Sequence, residues 1–239
     1  MVYGVILASG VGKRMGSDIP KQYLEVCNVP IIVYTIKSML KCQRIDYIYI
    51  AISEPYKEYI EELLAKYFDH VSRDKFKIVF GGKERIDTIN NVTNALISNG
   101  EVSEDDVVIF HDAVRPFVTK QILEDSIDGA REKGATVAGM PAVDTMLVSS
   151  DGSVVESIPN RATLFHGQAP DSFRLSHFIK LRDKLTDEQK SALTGTSQFC
   201  TYNNVPIYLI AGDDLNFKIT TQADLERAET IVNNMEGDK

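Results

Sequence analysis

Tryptophan is absent from this chain, cysteine and histidine are scarce, and acidic residues outnumber basic ones. The three cysteines, Cys27, Cys42 and Cys200, are odd in number, widely spaced and form no Cys-x-x-Cys pair. They read as reduced thiols rather than a disulfide frame or a zinc site. The four histidines form no metal cage, and no spacing singles out a Ser-His-Asp constellation. Lysine and arginine number 26 against 34 aspartates and glutamates, a net charge of −8 with a pI near 5.1. Nucleic-acid-binding surfaces are normally basic, and no aromatic ladder for single strands is present, so nucleic acid is not an expected partner. No apolar run approaches the roughly 20 residues of a membrane helix. The first apolar stretch, residues 2–8, has no basic leader and reads as a strand, not a signal peptide. A cytoplasmic protein without membrane contact is the expectation. Low-complexity segments, internal repeats and an obvious interdomain linker are also missing.

What is present suffices for a core: 44% of the 239 residues are hydrophobic and 25% are charged. That suits one α/β domain over residues 1–239. Residues 2–8, 45–52, 76–80 and 107–110 read as strands. Between them, residues 30–40, a segment capped by Ser53 with Ile60, Leu63, Leu64 and Tyr67 on one face, and residues 85–97 read as helices. Another helix is expected after a Thr119 cap. Repeated βα units imply a mostly parallel sheet with helices on both faces. Residues 135–140 continue it, and then the pattern changes. Residues 144–148 and 153–158, around Ser149-Ser150-Asp151-Gly152, read as a hairpin, within an arm of about residues 142–165. Helical periodicity over 175–193, a strand over 206–211 and a helix over 221–234 complete the expectation. The fold is a Rossmann-like three-layer sandwich with a protruding antiparallel β-arm, a device for dimerisation or substrate covering, or a plain surface hairpin.

Ligands of open α/β sheets bind beyond the carboxyl ends of the strands, and the unusual polar residues fall there. Leu7-Ala8-Ser9-Gly10-Val11-Gly12-Lys13-Arg14-Met15-Gly16 follows the first strand, and Lys21 follows Pro20. Backbone N–H groups with three cations suit a polyphosphate. The sixth residue from Gly10 is Met15, which excludes the dinucleotide fingerprint; Lys13 is followed by Arg14 at the wrong spacing for a Walker A loop. An ordinary strand-to-helix turn is the plain alternative, but it needs no adjacent cations. In His111-Asp112-Ala113-Val114-Arg115-Pro116, Asp112 suits Mg²⁺ and Arg115 a phosphate; a turn-capping Asp paired with its Arg is the structural alternative. His111 reads as a packing residue. Gly81-Gly82 with Arg85 and Thr88 suits a base edge or ribose, or simply a helix start. Lys218 is available to phosphates, with Asp213 and Asp214 nearby as a second metal ligand, while Thr221 and Asp224 make a helix N-terminus. A cation-rich pocket in an acidic protein fits phosphoryl or nucleotidyl transfer, which is mostly positioning and charge neutralisation.

In this order and over nearly the whole chain, these motifs resemble the cytidylyltransferases that join CTP to a polyol phosphate. That family includes 2-C-methyl-D-erythritol 4-phosphate cytidylyltransferase and the similar ribitol-5-phosphate cytidylyltransferase. The resemblance runs through residues 7–16, Pro20-Lys21-Gln22, residues 81–85 and 111–116, Val143-Asp144-Thr145 and residues 216–221. It implies that Leu7, Ala8, Ser9, Gly10, Gly12, Lys13, Gly82, Arg85, Thr88 and Asp112 hold CTP. Arg14, Lys21 and Lys218 would stabilise charge at the α-phosphorus, and Asp112 with Asp214 would position Mg²⁺. Arg115, Thr145 and Arg161 would bind the polyol phosphate, the last two on the arm of a neighbouring subunit in a homodimer. The implied reaction is in-line attack by the acceptor's phosphate oxygen, expelling pyrophosphate; that oxygen is already anionic, so no general base is needed. Pro159-Asn160-Arg161-Ala162 resembles the ribitol branch, which makes D-ribitol 5-phosphate the expected acceptor and 2-C-methyl-D-erythritol 4-phosphate the alternative. Three positions depart from the family pattern: Ala169 for a threonine, Thr194-Gly195-Thr196 for a Thr-Asp-Ala type stretch, and Leu215 for an aspartate. Ala169 and Leu215 motivate a third reading, a CTP-binding protein without turnover.

Overall fold

The computed structural model describes residues 1–10, 19–98 and 100–237. Strand β1 (Val2–Ala8) is followed by a small antiparallel ribbon, β2 (Glu25–Val26) and β3 (Val29–Pro30), and by α1 (Ile31–Leu40). Then come β4 (Tyr47–Ile52), α2 (Lys57–Tyr67), α3 (His70–Asp74), β5 (Phe76–Phe80), α4 (Arg85–Ser98), β6 (Val107–Asp112), α5 (Lys120–Lys133) and β7 (Ala135–Pro141). The last part holds β8 (Phe165–Arg174), α6 (Leu175–Asp183), α7 (Asp187–Ser191), α8 (Gln198–Tyr202), β9 (Tyr208–Ala211) and α9 (Gln222–Gly237). One sheet orders seven strands as β5-β4-β1-β6-β8-β7-β9. Only β8 runs against its neighbours, β6 and β7.

Both faces of the sheet are covered, because side chains alternate across each strand. Val2, Ile6 and Ala8 of β1 pack with Ile32, Ile36 and Met39 of α1 and Ile122 and Ile127 of α5. Tyr3 and Val5 face the other way, toward Ile89 and Val92 of α4, Phe178 of α6 and Phe199 of α8. Burying each such side chain fully is worth about 1.5–3 kcal/mol, so β1 is anchored from both sides. A third cluster, with Val26, Ile31, Val114, Ile219 and Val232, ties α9 to the ribbon and to the loop after β6. No helix among the described residues is long and apolar enough to cross a membrane. None of the three cysteines is bridged.

The expected strands over 2–8 and 76–80 coincide with β1 and β5, and the other parallel strands differ only at their ends. Thr119 does cap α5, accepting from the Ile122 N–H at 3.2 Å. Three expectations need correction, and one element was not expected. Ser53 does not cap a helix through its side chain; its hydroxyl donates instead to the Ser9 carbonyl at 2.8 Å. The helical stretch over 175–193 is two helices, because Thr186 and Gln189 form a capping box that starts α7 afresh. Strand β8 is an element the sequence pattern hides: Gly167, Gln168, Pro170 and Asp171 interrupt any alternation, and the order comes from pairing with β6 and β7. In the arm, residues 142–164 leave and rejoin the sheet through the Ala142 N–H to Leu164 carbonyl bond of 2.9 Å. The pairing within it reduces to one antiparallel bridge between Val148 and Ser157 rather than two full strands.

Candidate active site

Three strand ends and the loop before α9 bound a cleft with two adjoining chambers. The larger, of 390 Å³, is lined by Leu7, Ser9, Gly10, Lys21, Gln22, Gly82, Arg85, Thr88, Asp112 and Lys218, among others. The smaller, of 190 Å³, is lined by Arg115, Gln168, Ala169, Asp171, Thr196 and Ser197, among others. Arg85, Asp112 and Lys218 line both. They form the wall the two spaces share.

The larger chamber is held by short hydroxyls and main chain. The Thr88 hydroxyl accepts from the Gly82 N–H at 3.1 Å and meets the Ser9 hydroxyl at 2.9 Å, so α4 grips the loop after β1. The Gln22 amide donates to the carbonyls of Ala8 and Gly10, at 2.6 and 3.0 Å. Two glycines are needed for close approach: a Cβ on Gly81 would sit 2.4 Å from the Ser9 Cβ, and one on Gly82 2.1 Å from that of Asp87.

The loop after β6 is tied from behind by α1. The Thr35 hydroxyl donates to the Ala113 carbonyl at 2.8 Å, and the Ser38 hydroxyl to the Pro116 carbonyl at 2.6 Å. On that support, Asp112 Oδ2 accepts from Arg115 Nε at 3.1 Å and from Lys218 Nζ at 3.0 Å. Burial alone would raise the Asp112 pKa, but Lys218, Arg115 and Arg85 outweigh it and hold the carboxyl well below the usual range. Arg115 Nη1 donates to the Asn216 carbonyl at 2.7 Å. The Asn216 side chain in turn donates to the Ala169 carbonyl at 2.7 Å, which joins the loop before α9 to β8. His111 is buried, its Nε2 donating to the Arg115 carbonyl at 3.1 Å, and burial pushes its pKa down to about 4. It stays neutral and braces the loop, in keeping with a packing role.

Asp171 is the group in this cleft that sequence reasoning missed. Thr196 Oγ1 donates to its Oδ2, and so does the Ser197 N–H at 2.9 Å. Burial lifts its pKa to about 6; Thr196, Ser197 and Arg85 pull it down, and Asp112 pushes it up. The signal available in the sequence was an acid directly after Pro170, legible only once β8 is known to be a strand.

The structure thus brings Leu7, Ser9, Gly10, Lys21, Gly82, Arg85, Thr88, Asp112 and Lys218 to one chamber and Arg115 to the next. Ala8 lies behind that wall and contributes its carbonyl to Gln22. Gly12, Lys13 and Arg14 lie outside the described residues. Asp214 is not brought to Asp112: it is exposed, lines neither chamber, and its carbonyl accepts from Arg227 at 3.1 Å. Thr145 and Arg161 sit exposed on the arm and line neither chamber; Arg161 Nη1 donates to the Val143 carbonyl at 2.6 Å. No group of three or more His, Cys, Asp or Glu fit to hold a metal occurs among the described residues. Asp112 is the carboxylate on the wall that both chambers share, and a magnesium ion commonly takes one or two carboxylates together with substrate phosphates. That donor set fits an ion that arrives with a triphosphate.

A family model described as 2-C-methyl-D-erythritol 4-phosphate cytidylyltransferase (IspD) matches residues 2–234. Among solved structures, the 2-C-methyl-D-erythritol 4-phosphate cytidylyltransferase of Francisella tularensis superposes with a TM-score of 0.79 at 26% identity. The match covers 96% of this chain and 98% of that one. The 4-diphosphocytidyl-2C-methyl-D-erythritol synthase of Anaerococcus prevotii gives 0.77 at 22% identity, covering 97% and 98%. The 2-C-methyl-D-erythritol 4-phosphate cytidylyltransferase of Thermus thermophilus gives 0.72 at 21%, covering 98% and 100%. The last two likenesses speak for the fold alone.

Proposed function

The chain belongs to the 2-C-methyl-D-erythritol 4-phosphate cytidylyltransferase family, a group of nucleotidyltransferases, and from that premise we propose how this cleft is used. CTP occupies the larger chamber, a polyol phosphate the smaller, and the α-phosphorus lies at the wall between them. The observation that carries the reading is that Arg85, Asp112 and Lys218 border both spaces. A transfer between two anions needs cations at that place. Lys218, Lys21 and Arg85 offset the charge that builds on the phosphate during in-line attack. Arg115, oriented by Asp112 and Asn216, meets the acceptor's phosphate. Gly82 and Thr88 hold the nucleoside. The family resemblance assigns Arg14 and Lys13 to the same polyphosphate. A magnesium ion held by Asp112 and the CTP phosphates would supply Lewis-acid charge neutralisation.

The acceptor best supported by the family match is 2-C-methyl-D-erythritol 4-phosphate. A second reading, D-ribitol 5-phosphate, rests on Pro159-Asn160-Arg161-Ala162, where the Asn160 side chain caps the turn that presents Arg161. In either case Thr145 and Arg161 act from the arm of a second copy, since on their own chain they line neither chamber. Pyrophosphate release from CTP with each acceptor separately tests the proposal. Release with one acceptor and not the other selects between the two readings. No release with either, while CTP binds by calorimetry, replaces both with a binding protein that lacks turnover.

A further inference from the structure

The smaller chamber holds an acidic group that the charge-neutralising chemistry above does not use. Asp171 is 8% exposed and lies on the same face of β8 as Phe173. The β7 partners step from Val137↔Asp171 to Ala138↔Gln168, so Ala169 and Pro170 fall out of the pairing. Such irregularities beside sites re-aim a side chain. Thr196 and Ser197 both bind Oδ2 of the carboxyl, which fixes its orientation; neither bond uses Oδ1, and the residue lines the chamber.

The cations of this space, Arg115, Arg85 and Lys218, act on Asp112, which marks where an acceptor's phosphate belongs. A second carboxylate repels phosphate. What it takes well is a hydroxyl donor, and hydrogen bonds to ionised groups are about twice as strong as neutral ones. We propose that Asp171 is a specificity-determining residue: it accepts a hydrogen bond from one hydroxyl of the acceptor, so that the chamber selects a hydroxylated polyol phosphate over the same chain lacking that group. This rests on the reading of the smaller chamber as the acceptor site. A site built to pair a hydroxyl rejects the analogue without it, because the protein group is then left unpaired.

The test crosses enzyme variants with substrate deletions. Pyrophosphate release is measured for the native protein, Asp171→Ala and Asp171→Asn, using the acceptor that is turned over and each of its monodeoxy analogues. For the native protein, kcat/KM falls roughly 10–100-fold at one deoxy position. In Asp171→Ala that ratio shrinks to within about threefold of one, the ratios at other positions stay, and KM for CTP is unchanged; Asp171→Asn falls between. CTP binding by calorimetry shows that each variant is folded, and if Asp171→Ala fails it, the comparison is read on Asp171→Asn. Ratios preserved at every position, or a loss shared equally by CTP and all acceptors, overturn the assignment and leave Asp171 a structural acid. Absence of release by the native protein with every acceptor overturns the transfer reading, and the assignment with it.

Discussion

The two chambers of one cleft are built from different materials. Beyond the wall they share, the larger is framed by backbone, glycine and short hydroxyls gathered by Thr88 and Gln22, with Lys21, Lys83 and Glu84 at its border. The smaller adds side chains from distant segments: Arg115 after β6, Asp171 on β8 and Thr196 before α8. Backbone walls suit a ligand whose phosphates take N–H donors whatever the nucleoside. Side-chain walls can be changed one residue at a time. On the proposed reading, the difference teaches where constancy and where specificity reside: a nucleotide chamber tied into the sheet beside an acceptor chamber that is tunable.

The largest expected effect comes from breaking the shared wall. Lys218→Ala removes a cation that borders both chambers and pairs with Asp112 at 3.0 Å. Steady-state kinetics are expected to show kcat reduced by about 10²–10³-fold, with Lys218→Arg recovering part of it. A change confined to one KM with kcat preserved would mean that the chambers do not share their chemistry.

Next in size is a pH effect belonging to the smaller chamber alone. The pKa of Asp171 lies near 6, above the ordinary carboxylate range, chiefly because of burial, with Asp112 adding to it and Thr196, Ser197 and Arg85 opposing. The folded state therefore holds a proton between about pH 4 and 6 that the unfolded state gives up. That contribution is complete below about pH 4 and is lost as pH rises through 6. Relative to Asp171→Asn, the native protein is expected to gain on the order of 2–3 kcal/mol as pH falls from 7 to 4. Urea unfolding across that range checks it. His111 works the other way, losing stability as pH falls from about 6.5 toward 4, but it is common to both proteins and cancels in the difference. A flat difference would place Asp171 in contact with bulk water and erase the contrast between the chambers.

This asymmetry also governs how much could be read from the sequence. Gly81-Gly82, Thr88, Asp112 and Lys218 are short motifs at strand ends, and a parallel sheet delivers strand ends to one place without further information. Asp171 and Thr196 belong to no such motif. They meet because β8 inserts antiparallel between β6 and β7 and because α8 folds over the same face, and neither element leaves a periodic trace. Asp214 shows the converse: adjacency to Asn216 suggested a metal ligand, yet the loop turns its neighbour Asn216 inward and leaves Asp214 exposed. Local spacing locates a loop; it does not say which of its side chains faces in.

A smaller effect is expected on the nucleotide side. Thr88→Val leaves the Gly82 N–H without its partner and removes the contact with Ser9. Losing one neutral hydrogen bond costs about 1–1.5 kcal/mol, so KM for CTP is expected to rise about tenfold while KM for the acceptor stays put. Equal changes in both would show that the loop after β1 also shapes the smaller chamber.

The smallest effect on folding is expected at the arm, and it bears on whether the smaller chamber is complete within one chain. Val154 is 62% exposed and Val143 74%, with Leu147 and Ile158 also turned outward. Apolar side chains on a projecting segment with one internal bridge gain nothing for their own chain. Val154→Asp is therefore expected to move the unfolding free energy by less than about 0.5 kcal/mol. If the arm reaches a second copy, the same charge must be desolvated at that contact, and size-exclusion chromatography is expected to show the dimer dissociating. Turnover would fall with it, because Thr145 and Arg161 would no longer reach the neighbour's acceptor site. Unchanged elution and turnover would return the arm to a surface hairpin and make the smaller chamber, with Arg115 and Asp171, the whole of the acceptor site.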